Sequence, residues 1–255
     1  MRSKIVVFGF FFLVISLVAF VINYKSTSID EETGCVEDVD VSDVTVIIFD
    51  QSDRFESADI ERSKSILESI ISSSKGNEKL LFVEPNENLH YEPLVHFDMC
   101  SPKNISEINV LFDSPDDVER KFSEFRKNFY EKVEVALSRD VANYSPIFET
   151  IGYVAMKSDY INAKNRKIYI FSDMMQNSLN FNFYKKIPKY RGLDIKSIPM
   201  HDFKLYSTDI YTVHVSRRPN WEDRNNVKIF WNDLFGEKRA TVHWDYDFSS
   251  DRDMK

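Results

Sequence analysis

The stretch VTVIIFDQSDRF, which begins at Val44, passes from an apolar run directly into Asp50, Gln51, Ser52, Asp53 and Arg54. Two other places share this character. NYSPIF sets Ser145 just ahead of a helical pattern, and KIYIFSDMMQNS ends an apolar run at Asp173. Asp50, Ser52, Ser145 and Asp173 are hard oxygen donors with no His or Cys among them. Such a set suits Mg²⁺ or Mn²⁺, suits Ca²⁺ less well, and does not suit zinc. Two carboxylates would supply the charge, and the hydroxyls would fill coordination positions. Each residue also has an ordinary structural use: Ser145 as a helix N-cap, Ser52 and Asp53 as turn residues, Asp173 as the end of a strand.

These loops must be positioned by the elements on either side of them. VTVIIF, KLLFVE, INVLF (Ile108–Phe112), KIYIF and DIYTVHV read as short apolar strands, VHFDMC as a strand or irregular turn, and ATVHWDYDF as a last strand. Between them lie helical patterns. One runs from about Ala58 to Ser73 behind Ser57 as N-cap. A second follows Ser114 and Pro115, with Asp117 completing a capping-box pattern and Val118, Phe122, Phe125, Phe129, Val133 and Ala136 on one face. A third follows Ser145 and Pro146, and a fourth is NVKIFWNDLF, ending at Gly236. This alternation predicts an α/β fold: a doubly wound, mainly parallel sheet with helices on both faces. Ligands of such sheets gather beyond the carboxyl ends of the strands, where the three oxygen-bearing loops would lie.

A strand ending in D-x-S, a hydroxyl residue ahead of a helix and a later strand ending in S-D resemble the von Willebrand factor A domain over about residues 44–245. FDQSD, YSPIFETI and IFSDMMQNS are similar to a bacterial membrane-anchored subgroup of that family. The resemblance implies a metal-ion-dependent adhesion site formed by Asp50, Ser52, Ser145 and Asp173. It also implies a binding module whose protein partner completes the metal with an acidic side chain. Two positions depart from the family pattern. Arg54 stands where a serine is expected, and Met174 where glycine often follows the aspartate. Two roles for Arg54 are compatible with the sequence: it replaces the cation as a fixed charge, or Asp53 holds it turned outward.

Composition and charge narrow the function further. The chain has 255 residues and a net charge of −8, without a basic face for nucleic acid. Residues 5–22 contain no charge and, as a helix, just span a bilayer core. Arg2 and Lys4 precede this run and an acidic stretch follows it. The expectation is a single-pass anchor with a cytoplasmic N-terminus and an exported domain, periplasmic or extracellular. The expected division is 1–4 cytoplasmic, 5–23 transmembrane, 24–43 acidic linker, 44–248 domain and 249–255 polar tail. Cys35 and Cys100 form either a disulfide between linker and domain or two unrelated thiols. No catalytic constellation stands out. A metal-dependent hydrolase of the haloacid-dehalogenase kind needs a second Asp two residues after Asp50, and that position is Ser52. A metal-free structural domain is the other alternative to the binding module.

Overall fold

The computed structural model describes residues 28–52, 55–86, 92–215 and 221–245. The expected anchor at 5–23, the residues Asp53 and Arg54, and the tail at 249–255 lie outside the described residues. Among the described residues, no helix is long and apolar enough to cross a membrane.

The elements run β1 (Asp43–Phe49), α1 (Ser57–Ser72), β2 (Lys79–Glu84), β3 (Leu94–Cys100), α2 (Pro115–Leu137), α3 (Ile147–Ala155), α4 (Ser158–Asn162), β4 (Asn165–Ser172), β5 (Thr208–His214), α5 (Trp221–Glu237) and β6 (Thr241–His243). The six strands form one sheet in the order β3-β2-β1-β4-β5-β6. All neighbours pair in parallel except β2 and β3, which form an antiparallel hairpin. This is the mainly parallel α/β sheet that the sequence predicts.

Both faces of the central strands are buried, which is why their sequences read as unbroken apolar runs. Ile47 and Phe49 of β1 face α1 and α2, where Leu67, Ile71, Phe125 and Phe129 cover them. Val46 and Ile48 face the other way, toward α3 and α5 through Ile151, Val154, Trp231 and Leu234. The Phe stripe of α2 is therefore core. Gly152 is required in α3 because a Cβ there would stand 2.6 Å from Cβ of Met200 and 2.8 Å from its carbonyl oxygen.

Several local expectations are corrected. Ile108–Phe112 is a turn rather than a strand, because flanking side chains capture its backbone. Leu111 N donates to Asn109 Oδ1 at 3.1 Å, and Asn109 N donates to Asp113 Oδ2 at 2.8 Å. Ser57 opens α1 without capping it, and Ser114 occupies the cap position of α2 without a capping hydrogen bond. Asp117 is drawn away from any capping box by Arg120 and Lys121, at 2.6 and 2.8 Å. The connection from β4 to β5, for which the sequence suggested no element, sends Met174, Phe181, Phe183, Phe203 and Leu205 into the core beneath α3 and α5.

Part of the stretch read as a linker is built onto the domain. Cys35 and Cys100 form a disulfide with a Cα–Cα distance of 4.8 Å. Cys100 N donates to the Thr33 carbonyl at 2.8 Å, and Val36 N to Asn77 Oδ1 at 2.8 Å. The chain thus enters at the amino edge of the sheet, where β1 and β2 begin and β3 ends.

Candidate functional site at the carboxyl edge

The strand order reverses direction between β1 and β4, so the chain leaves these two strands toward opposite faces at their carboxyl ends, where ligands of such sheets gather. Asp50 stands there, directly after β1, and is 1% exposed. Its backbone N donates to the Phe171 carbonyl of β4 at 3.0 Å. Its Oδ2 accepts the hydroxyls of Ser145 at 2.8 Å and Ser172 at 2.6 Å, and its Oδ1 accepts Ser52 N at 3.1 Å. One carboxylate therefore ties together three chain segments.

The structure brings the Ser145 hydroxyl and the Ser52 backbone N–H to Asp50, and adds Ser172, the serine of the S-D pair, which has no site role in the sequence reading. Ser145 does not cap α3. Pro146 takes the cap position, and the Ser145 hydroxyl turns to Asp50 instead. Ser145 and Asn177 exchange backbone hydrogen bonds at 2.8 and 2.9 Å, pinning the loop before α3 to the loop after β4. Asp173 follows Ser172 and is 8% exposed, with Oδ1 accepting Met175 N at 2.9 Å. Met174 adopts a positive φ of 64°, the conformation that glycine takes most easily, and its carbonyl accepts the Trp231 indole N–H at 2.9 Å.

A second buried carboxylate, also missed from sequence, stabilises this edge. Glu149 in the first turn of α3 is fully buried. It accepts Gln176 Nε2 at 2.8 Å, Ser178 Oγ at 2.7 Å and Asn180 Nδ2 at 2.9 Å. Gln176 Oε1 in turn accepts Phe148 N at 2.9 Å, one of the helix's unpaired amino-terminal donors. The Glu149, Gln176 and Ser178 positions of YSPIFETI and IFSDMMQNS are thus partners in one network that holds the loop bearing Asp173 against α3.

Beside Asp173, the end of β5 completes a small cleft of about 20 Å³, room for about one water, lined in part by His214, Arg224 and Asp245. Burial, and next the positive Arg224, lower the His214 pKa. Arg224 Nη2 lies 2.5 Å from His214 Nε2, so that ring nitrogen faces a donor and presents its lone pair.

Oxygen donors of this kind are the ones a hard divalent cation takes. A serine hydroxyl that gives its proton to a carboxylate keeps oxygen lone pairs for an ion, and Ser145 does so. Among the described residues, no group of three His, Cys, Asp or Glu side chains is placed to hold a metal. The charge would come from Asp50 and Asp173, and hydroxyls or water would supply the remaining positions.

No family model matches the chain, and no curated protein matches it. A solved structure that it resembles is the crystal structure of an aerotolerance-related membrane protein from Bacteroides fragilis NCTC 9343 with multiple mutations to serines. The alignment covers 84% of this chain and 96% of that one, at 10% identity and a TM-score of 0.40.

Proposed function

We propose that this chain is a protein-interaction module of the von Willebrand factor A type. In this reading the segment 5–23 anchors it in a membrane, the domain lies on the exported side, and the carboxyl edge of the sheet is the contact site. The burial of Asp50 carries the reading. At 1% exposure its charge is answered by neutral donors alone among the described residues. A carboxylate this deep favours a positive charge nearby. Mg²⁺ or Mn²⁺ held by Ser52, Ser145 and Asp173 would provide it. Asp50 keeps the hydroxyls of Ser145 and Ser172 aimed, the Glu149 network holds the third loop in place, and a bound ion would offer an open position to a carboxylate of the partner protein. The disulfide supports the exported placement, since such bonds persist in oxidising compartments. The role is binding rather than hydrolysis, because Ser52 stands where a second catalytic aspartate would be needed.

A second reading is a metal-free structural domain in which Arg54 takes the cation's place. It is favoured by the hydrogen bonding of Asp50, whose two oxygens already accept three donors. Thermal melting of the full chain separates the two. At an ion concentration of about 100 times Kd, binding stabilises by about 2.7 kcal/mol, which for a domain of this size raises Tm by roughly 5–10 °C. Wild type should show that rise with Mg²⁺ or Mn²⁺ against chelator, and Asp173→Ala should not. A wild-type Tm indifferent to both ions would overturn the cation site and leave the metal-free domain.

A further inference from the structure

The amino edge of the sheet, opposite the candidate site, carries a feature the proposed function does not use. In the turn between β3 and α2, Val110 and Leu111 are 85% and 81% exposed, with Phe112 beside them at 59%. This turn is firmly built. Besides the two side-chain bonds to Asn109 and Asp113, Phe112 N and Asp113 N both donate to the Asn109 carbonyl, at 3.0 and 2.8 Å. Lys103 holds Asp113 at 3.1 Å. Asn104 and Glu107 bind the same segment to the loop between α1 and β2, through Ser74 O at 2.8 Å and Gly76 N at 2.9 Å. A hydrogen-bonded scaffold that presents consecutive large apolar side chains to the outside marks a contact surface. Ile105, Met156 and Ile161, also on this edge, are exposed as well.

We infer that this amino edge rests on the bilayer, with Val110 and Leu111 inserted at the level of the lipid glycerol and upper acyl chains. The inference rests on the reading of residues 5–22 as a membrane span. From Ile22 to Ser28 there are only six residue steps, at most about 22 Å when fully extended. Ser28 already belongs to the folded part, because Glu37 N donates to its carbonyl at 2.9 Å. The Cys35–Cys100 bond then fixes that entry segment to the end of β3, the strand that leads into the turn. A tether this short, pinned to this edge, holds the edge close to the membrane surface. The turn's apolar tip meets the bilayer, and the Asp50 cluster points away from it toward partners. Asp113 is paired with Lys103 and Asp116 follows it, so the tip carries no surplus positive charge for an anionic headgroup and the contact suits zwitterionic lipid.

The test uses the full chain in phosphatidylcholine vesicles carrying brominated acyl chains, which quench tryptophan on contact. Leu111→Trp places the probe in the turn. Leu179→Trp places it at a comparably exposed position, 74% against 81%, in the loop after β4, on the opposite edge. The fluorescence added by Leu111→Trp should fall at least twofold in brominated vesicles, and that added by Leu179→Trp should not change. Val110→Trp repeats the measurement should Leu111→Trp not fold. Equal quenching at the two edges, or none at the turn while the chain stays in vesicles through alkaline extraction, overturns the inference and leaves the anchor intact. A blue shift without quenching means that a protein surface covers the turn, which also overturns it. Release by alkaline extraction removes the anchor and the contact together, and leaves the cation site untouched.

Discussion

Exchanging Glu149 and Gln176 tests whether the loop bearing Asp173 is held by one buried network. In Glu149→Gln, one carboxylate oxygen becomes an amide NH₂. Its Oε1 side can still accept Ser178 and Asn180, but the other side then faces the Gln176 amide, donor against donor. Gln176 cannot flip to relieve this, because its Oε1 is engaged by Phe148 N. The loss of one charge-assisted bond, together with an unanswered buried donor, costs about 2–3 kcal/mol. Gln176→Glu alone sets two carboxylates against each other in a site closed to water and costs about 3–5 kcal/mol. The double exchange restores every pairing. The amide introduced at position 149 donates to the carboxylate introduced at position 176, whose other oxygen accepts Phe148 N. The coupling energy should therefore exceed about 2 kcal/mol in favour of the double variant. Urea unfolding followed by tryptophan emission reads this out: with an m value near 2 kcal/mol/M, Glu149→Gln shifts the midpoint by about 1 M and the double variant recovers most of it. Additivity of the two single changes within about 0.5 kcal/mol would refute the network.

Two further outcomes follow from the geometry. Replacing both Cys35 and Cys100 with Ser opens a loop of sequence separation 65 and should lower stability by about 4 kcal/mol on the chain-entropy account; a loss under about 1 kcal/mol in matched urea titrations would show that the entry segment holds by its hydrogen bonds alone. His214 has its pKa lowered in the folded state, so the unfolded chain takes up its proton first as pH falls. The stability this residue contributes is complete above about pH 6.5 and declines below it toward the lowered value. Melting curves at pH 7.5 and 5 should show that decline in wild type and a smaller one in His214→Gln; equal declines would remove His214 as the cause.

The parts of the fold carried by local pattern were legible in the sequence. VTVIIF, KLLFVE, KIYIF and DIYTVHV are strands because both of their faces are covered, and the aromatic repeat of α2 has a single buried face. INVLF misled because its apolar residues outweighed the two turn-forming side chains beside them, Asn109 and Asp113. At the candidate site, Asp50 and Ser145 could be picked out because each stands where a strand ends or a helix begins. Ser172 was hidden as the last residue of an apolar strand, although it makes the shorter hydroxyl bond to Asp50. Glu149 was hidden for another reason. A glutamate in a first helical turn is explained by the helix dipole alone, and its partners lie 27 to 31 positions away. Asp53 and Arg54 fall outside the described residues.

The shared oxygen of Asp50 also bears on how the sheet finds its alignment. Val46–Phe49 of β1 and Ile168–Phe171 of β4 are apolar on both faces, so within these stretches sliding one past the other by one residue exchanges apolar side chains for apolar side chains, and oiliness alone discriminates weakly between the alignments. In the native pairing Phe49 lies opposite Phe171, which leaves Ser172 beside Asp50. A slip of one position brings up Phe171, which has no proton to give, or Asp173, which adds a second negative charge. Either way a carboxylate is sealed in without its partner. The cluster thus works as a registration mark, a polar pin at one end of the pair, as the Asn165 bond to Asp43 is at the other.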